Sequence, residues 1–283
     1  MIRRLLATFV ALTALAAPVE AQTAASLFAR KATPSPHQPY SIGSPSRGCL
    51  AGGVQLPETG PTWQAMRLSR NHHWGNPVTI AFIEDLSRTA TRVGWRGLYV
   101  GDIGQARGGP VKGHASHQSG LDVDIWYTPP PRLDLTRSDR ERLGAMIVRA
   151  SDQRHLNTNW TASHAALLEA AARDPRVERI FVTAPVKLSL CQTATRRDTD
   201  WLRKIRPWWN HHDHFHVRLN CPRGEPGCVD PAPIPPGDGC KDAVWWVTDA
   251  LLPPDPDAPK AKPKPPLRLA DLPPQCTTVL GTR

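Results

Sequence analysis

Two short stretches, far apart in the 283-residue chain, constrain its fold most tightly. Leu121–Trp126 reads LDVDIW and His214–Leu219 reads HFHVRL, and both alternate strictly between apolar and polar residues. In an extended strand, successive side chains point to opposite faces. Leu121, Val123 and Ile125 then share one face, with Asp122, Asp124 and Trp126 on the other. Phe215, Val217 and Leu219 likewise oppose His214, His216 and Arg218. Each stretch predicts a strand with one side on a core and the other on a cleft. Side by side in one sheet, the two would bring carboxylates and imidazoles onto a rigid platform.

The histidines concentrate at the same place. Of eleven in the chain, His114 and His117 lie in Gly113–Trp126, and His211, His212, His214 and His216 lie in Asn210–Leu219. Neutral imidazole and carboxylate are the preferred non-thiolate ligands of zinc, so the two windows read together as a metal site. The plain alternative, a surface hairpin with solvated histidines, does not explain why polar residues converge on both strands at once. His72 and His73 have no partner on the same face and read as a surface loop.

The chain opens with Arg3 and Arg4, an apolar run from Leu5 to Ala17, and small residues around Val19-Glu20-Ala21. This is the pattern of a secretory signal over residues 1–21, too short to span a bilayer, and it predicts an exported protein. Six cysteines suit an oxidising compartment and three disulfides. None has CxxC spacing, and sequence alone allows fifteen pairings; Cys221 and Cys228, flanking a short Pro/Gly loop, are the natural local pair. A formal net charge of +10 implies an anionic partner. No zinc-finger, helix-turn-helix or RNA-recognition pattern accompanies it, so nucleic acid is not the expected partner.

Along the chain, helices and strands mix without repeats. Asn76-Pro77 caps a helix whose apolar positions Ile83, Leu86, Ala90 and Val93 recur at helical spacing before Gly94. Arg96–Ile103 reads as a strand, and the glycine-rich run from Gly104 to Gly113 as a flexible cleft rim. Ser138 with Glu141 suggests a capping box for a helix burying Leu143, Met146, Ile147 and Ala150. Thr161–Ala172 reads as a helix and Arg179–Ala184 as a buried strand. Trp201, Trp208 and Trp209 either line a substrate groove or pack in the core, and for Trp201 the core is favoured. From Pro222 onward lie fifteen of the thirty prolines, and Asp255–Pro266 reads as an extended linker. The expected division is a leader at 1–21, one domain over 41–230, and a proline-rich strap over 231–283. The fold class is α+β, a central and mainly antiparallel sheet flanked by helices.

HxxxxxxD from His117 to Asp124, followed by HxH from His214 to His216, resembles the metal-binding signature of the LAS metallopeptidases, which include zinc-bearing hedgehog-like folds. Within that group, GHASHQSGLDVDI, WLRKIRPW and HFHVR resemble the penicillin-insensitive murein endopeptidases, and the similarity runs from about Ser41 to Cys276. The resemblance implies His117, Asp124 and His216 as ligands of one zinc ion, and disulfides Cys49–Cys276 and Cys191–Cys240. It also raises Asp152 and His155 to candidates for an auxiliary metal site. His114 joins the metal-site candidates from its place three residues before His117, and Asp122 is expected behind the ligands. Three protein ligands leave a position for water, as in catalytic zinc sites. His214, two residues from His216 on the same face, is then placed to take a proton, and His211 to help hold the tetrahedral intermediate.

The function so implied is zinc-dependent hydrolysis of D-alanyl–meso-diaminopimelyl cross-links in peptidoglycan, in the periplasm. Neither GxSxG nor SxxK is present, so no acylated serine is available to β-lactams. Arg107, Lys112, Arg203, Lys204 and Arg206 are candidates to meet the carboxylates of the stem peptides. The alternatives are a D-Ala-D-Ala carboxypeptidase or dipeptidase, and a non-catalytic zinc-bearing module that binds the cell wall.

Overall fold

The computed structural model describes residues 22–194, 198–257, 259 and 262–282; the leader expected over residues 1–21 lies outside them. The protein is α+β. Eleven strands are described: β1 Tyr40–Ser44, β2 Arg47–Ala51, β3 Val54–Gln55, β4 Thr59–Gly60, β5 Trp63–Ala65, β6 Trp74–Gly75, β7 Leu98–Val100, β8 Asp122–Trp126, β9 Val177–Val182, β10 Ile205–Pro207 and β11 His214–Leu219. Seven of them form one mixed sheet in the order β10-β9-β11-β8-β7-β5-β4. It is antiparallel through β9, β11, β8 and β7, with parallel pairs at β10–β9 and β5–β7.

The two alternating stretches are neighbours at the centre of this sheet. β8 and β11 pair antiparallel, with His216 opposite Asp124 and Arg218 opposite Asp122. Val123, Ile125, Phe215, Val217 and Leu219 are all buried in the main core. That core lies between the sheet and helices α2 (Pro77–Arg92), α4 (Ala162–Arg173) and α5 (Ala184–Thr193). α2 begins where the sequence predicts, with the Asn76 side chain accepting from the Val78 N–H at 3.1 Å and Pro77 in the first turn. Ile80, Ile83, Leu86 and Ala90 form its buried stripe. Truncating one of these, as in Leu86→Ala, costs about 2–5 kcal/mol in a packed core. With the helices holding the apolar face, the polar residues of β8 and β11 are left to the opposite side.

Three expectations are corrected. The helix expected through Leu143–Ala150 is instead the short α3, Arg137–Arg142. Thr136 and Asp139, rather than Ser138 and Glu141, make the capping box, and the helix ends at Leu143, before Gly144. The Arg67 guanidinium donates to the carbonyls of Arg140, Glu141 and Leu143, satisfying the helix end from outside. Leu143 and Ala145 then pack beside Trp126 and Tyr99. The glycine-rich run is no flexible rim, because residues 101–111 are buried. A Cβ on Gly108 would lie 2.1 Å from the Gln118 carbonyl oxygen, so glycine there permits close approach. His73 is buried, bonded to Gln55, and His72 is half-buried beside Asp102. Trp201 sits in the core.

All three disulfides form: Cys221–Cys228 locally, and Cys49–Cys276 and Cys191–Cys240 as the family resemblance implies. Cys49–Cys276 fixes helix α7 (Gln275–Gly281) to β2, in a second core that includes Phe28 of α1 (Ala24–Phe28). Arg107 is buried beneath this junction and donates to the carbonyls of Val279, Leu280 and Thr282. It is therefore committed to the fold, and not free to meet a substrate carboxylate. The remaining helix, α6 (Cys240–Trp245), is tied to α5 by Cys191–Cys240.

Candidate metal centre

The site is built on the polar faces of β8 and β11, and its centre is Asp124. Three imidazole nitrogens face its Oδ1: His216 Nδ1 at 3.1 Å, His117 Nε2 at 3.4 Å and His214 Nε2 at 3.7 Å. The oxygen is buried, yet has no hydrogen-bond partner, an exposure to loss that folded proteins rarely leave unanswered. His114, His117 and Asp124 also offer ligand atoms that lie within 4.8 Å of one another.

The second nitrogen of each ring explains how the first is aimed. His117 Nδ1 lies 2.9 Å from the Ile103 carbonyl oxygen, which can only accept, so Nδ1 holds the proton and Nε2 presents a lone pair. His216 Nε2 donates to Asp122 Oδ1 at 2.8 Å, leaving the Nδ1 lone pair on Asp124. His214 Nδ1 donates to Asp213 Oδ1, and His211 Nδ1 to the Trp209 carbonyl, both at 2.7 Å. An acceptor on one ring nitrogen fixes the tautomer and orients the other as a ligand or base. Lone pairs converging on a carboxylate oxygen repel unless something positive lies between them. A second proton on each ring would place several imidazolium ions in contact in a dry site. One divalent cation answers the same need with fewer charges, so the donor set fits zinc.

Asp122 is the anchor of the arrangement. Its Oδ2 accepts the His117 main-chain N–H at 2.9 Å, and its Oδ1 also accepts from Arg218 Nε at 2.8 Å. Burial alone would raise its pKa, but Arg218 and His216 outweigh that and hold the carboxyl below the usual range. Asp124 is likewise held well below its ordinary value, where the His117 and His214 imidazoles overcome its burial. His117 has a left-handed backbone with φ of 67°, and His211 one of 47°. Such strain in residues other than glycine concentrates where side-chain placement is functional.

The histidines expected to do proton chemistry differ in environment. Burial opposes protonation of His214, but the Asp124 and Asp213 carboxylates prevail and raise its pKa. Burial, reinforced by the His216 and His214 rings, pushes His211 down to about 3. His211 is thus a neutral ring whose Nε2 accepts, which suits it poorly to donate to an oxyanion. His212 lies outside the cluster, its carbonyl accepting from the Val148 N–H.

Asp152 and His155 come together elsewhere, on an exposed turn, with His155 Nδ1 2.6 Å from Asp152 Oδ2. Among the described residues they gain no third His, Cys, Asp or Glu at ligand distance. Arg203 and Lys204 line a pocket of about 410 Å³ with Glu178 and Asp200, and no histidine lines it. Lys112 lines a separate, apolar groove that reaches His114.

Three residues that the sequence did not single out complete the cleft. Asp102, 5% exposed, faces Arg70 at 2.8 Å, His114 at 3.3 Å and His72 at 3.4 Å. Burial works to raise its pKa, and the His114 and His72 contacts more than reverse this. Arg70 is half exposed and lines a cavity of about 180 Å³ with Asp102, His114, Asp124, Asp213 and His214. Asp213 could have been found from its place beside His214, by asking which acceptor fixes that ring. Asp102 and Arg70 gave no local signal.

The fold and the centre together define an α+β protein whose mixed sheet carries a buried His/Asp cluster able to hold a metal ion. Comparison with known proteins narrows this. The family model described as penicillin-insensitive murein endopeptidase, a peptidase family, matches residues 41–281. Proteins carrying that name include one from Haemophilus influenzae, 42% identical over 79% of this chain and 77% of its own length. One from Klebsiella pneumoniae is 41% identical over 85% of both chains, and one from Escherichia coli is 38% identical over 96% of this chain and 97% of its own. The chain belongs to the penicillin-insensitive murein endopeptidase family.

Proposed function

We propose that the protein is a zinc-dependent periplasmic endopeptidase that hydrolyses D-alanyl–meso-diaminopimelyl cross-links of peptidoglycan. The observation that carries this is the orphaned, buried Asp124 oxygen ringed by imidazole nitrogens, in a chain that matches the family over residues 41–281. The site residues resemble the LAS pattern, with His117, Asp124 and His216 as ligands and His114 as a further one. Asp152 and His155, two donors on an exposed turn, would serve a weaker auxiliary site.

When bound, zinc supplies Lewis acidity, activating water and polarising the scissile carbonyl. His214 accepts the proton of the attacking water at Nε2 and delivers it to the departing amine nitrogen, while Asp213 steadies the resulting imidazolium through Nδ1. His211, neutral and with Nδ1 committed to Trp209, accepts a hydrogen bond from that water and orients it. Arg67 is spent on main-chain carbonyls, whereas Arg70 keeps donors free on the cleft. Arg70 therefore binds the diaminopimelyl carboxylate next to the scissile nitrogen, since guanidinium is matched to carboxylate.

The test is incubation of purified protein with cross-linked muropeptide dimers. Release of monomers that chelator abolishes, zinc restores and penicillin leaves alone is the expected result. Cleavage confined to free D-Ala-D-Ala ends would make the protein a carboxypeptidase, and inertness with zinc bound would make it a binding module.

A further inference from the structure

Trp208, Trp209 and Trp245 are 52%, 46% and 49% exposed. Scattered exposed rings need no explanation, but connected ones do, and these form a ladder that starts in the active site. The Phe181 ring lies 5.4 Å from that of His216 and 6.0 Å from that of His211. Trp208 follows at 5.9 Å from Phe181, and Trp246 at 5.8 Å from Trp208. Trp246 then meets Trp209 at 5.0 Å and Trp245 at 5.4 Å. Two parts of the chain build it, the β9–β11 region and the end of α6. Cys191–Cys240 ties α6 to α5, and the Arg154 guanidinium bonds the Val247 carbonyl. The rings are thus held ready, without an ordering step on binding.

We propose that Phe181, Trp208, Trp209, Trp245 and Trp246 form a glycan subsite, which holds the sugar strand of murein while the metal centre acts on its peptide. The proposal rests on the murein reading above and extends it. A pyranose ring has an apolar face of C–H groups that lies against the negative face of an aromatic ring, with its hydroxyls left to water. Exposed polar residues, Asn210, Lys241, Asp242 and Thr248, flank the ladder and suit those hydroxyls. Geometry requires sugar nearby, because a stem of four residues spans at most ~14 Å. The ladder begins in ring contact between Phe181 and His216 and ends in the exposed rings of Trp209 and Trp245.

Two dimers with the same peptide cross-link, one bearing a disaccharide on each stem and one stripped of sugar, test the proposal. The wild-type protein is expected to cut both, with a KM about ten-fold lower for the sugar-bearing dimer, the size of one aromatic contact. Trp245→Ala and Trp246→Ala are expected to erase this advantage while KM and kcat for the stripped dimer stay within about two-fold; Trp246→Phe should retain most of it. Equal KM for the two dimers, or equal losses on both in the variants, overturns the glycan subsite and leaves the endopeptidase standing. Cleavage of neither dimer overturns the endopeptidase reading instead. Indole fluorescence with peptide-free glycan strands then decides the ladder alone: saturable quenching that Trp246→Ala abolishes supports it, and its absence overturns it.

Discussion

His216 and Asp122 meet across the β8–β11 pair, with Nε2 donating to Oδ1 at 2.8 Å and both residues almost fully buried. The bond decides which nitrogen of His216 remains for a metal. The same carboxylate accepts the His117 main-chain N–H and the Arg218 Nε–H, so one residue outside the proposed ligand set orients two of its members. Asp122→Asn puts an amide N–H against one of these donors and disrupts the set. Zinc affinity is expected to fall about 10–100-fold, measured by competition with a chromophoric chelator, with the far-ultraviolet circular dichroism retained. Wild-type affinity in this variant would remove Asp122 from the centre.

His214 and His216 lie two residues apart and are expected to fail in different ways. His216→Ala should lose both metal and activity. His214→Ala should keep stoichiometric zinc while kcat falls about 10²–10⁴-fold, the usual contribution of a positioned acid–base group. Asp213→Asn should show a smaller loss of kcat, because the ring remains but its Nδ1 acceptor weakens. Zinc content measured beside kcat separates these outcomes; loss of metal in His214→Ala would make it a ligand.

The parts of this arrangement legible in the sequence are those set by short-range periodicity. Strict alternation put Asp122 and Asp124 on one face of β8, and His214 and His216 on one face of β11, and pairing follows from two strands that bury one face each. Asp102 and Arg70 were not legible because their role is purely tertiary: one lies two residues past β7 and the other ends the short 3-10 helix Leu68–Arg70, and only folding joins them beside His114. The apolar spacing of Leu143–Ala150 reads as a helix, yet Leu143 packs beside Trp126, Met146 packs against the main core and Ile147 is exposed, so the i, i+3 rhythm arises in extended chain without a shared buried face. Gly108 read as flexibility where it provides close approach, since the same residue serves both.

Arg70 separates binding from chemistry. Its Nη1 is held by Asp102 at 2.8 Å, which leaves the rest of the guanidinium for a substrate carboxylate. Arg70→Ala is expected to raise KM for the cross-linked dimer about ten-fold, with little change in kcat. Amidating the diaminopimelyl carboxylate of the substrate should have the same effect on the wild type and none on the variant. Additive losses would mean that Arg70 and this carboxylate do not meet.

The Cys49–Cys276 bridge joins residues 227 apart in sequence. Chain-entropy reasoning puts its contribution at up to about 5 kcal/mol, added to the Arg107 bonds that gather the same C-terminal carbonyls. Cys49→Ser with Cys276→Ser is expected to lower the melting temperature by more than the loss of Cys221–Cys228, whose loop spans only 7 residues. Paired thermal melts of the two double variants check the order.

Lys187 gives a stability test away from the metal centre. It is fully buried on α5, with Nζ donating to the Leu202 and Asp238 carbonyls, and burial, aided by Arg206, pushes its pKa down to about 8. In the unfolded chain the same amine titrates near ~10.4. Between these values the unfolded state holds a proton that the folded state has released, so the unfolding free energy rises with pH. The rise is expected to begin near pH 8, with a slope of at most about 1.4 kcal/mol per pH unit. Lys187→Met keeps an unbranched chain in the same space and should flatten the curve. Urea melts from pH 7 to 9.5 on both proteins isolate the effect, below the range in which the tyrosines contribute. Parallel curves would mean that Lys187 stays charged in the fold, its two carbonyl partners offsetting its burial.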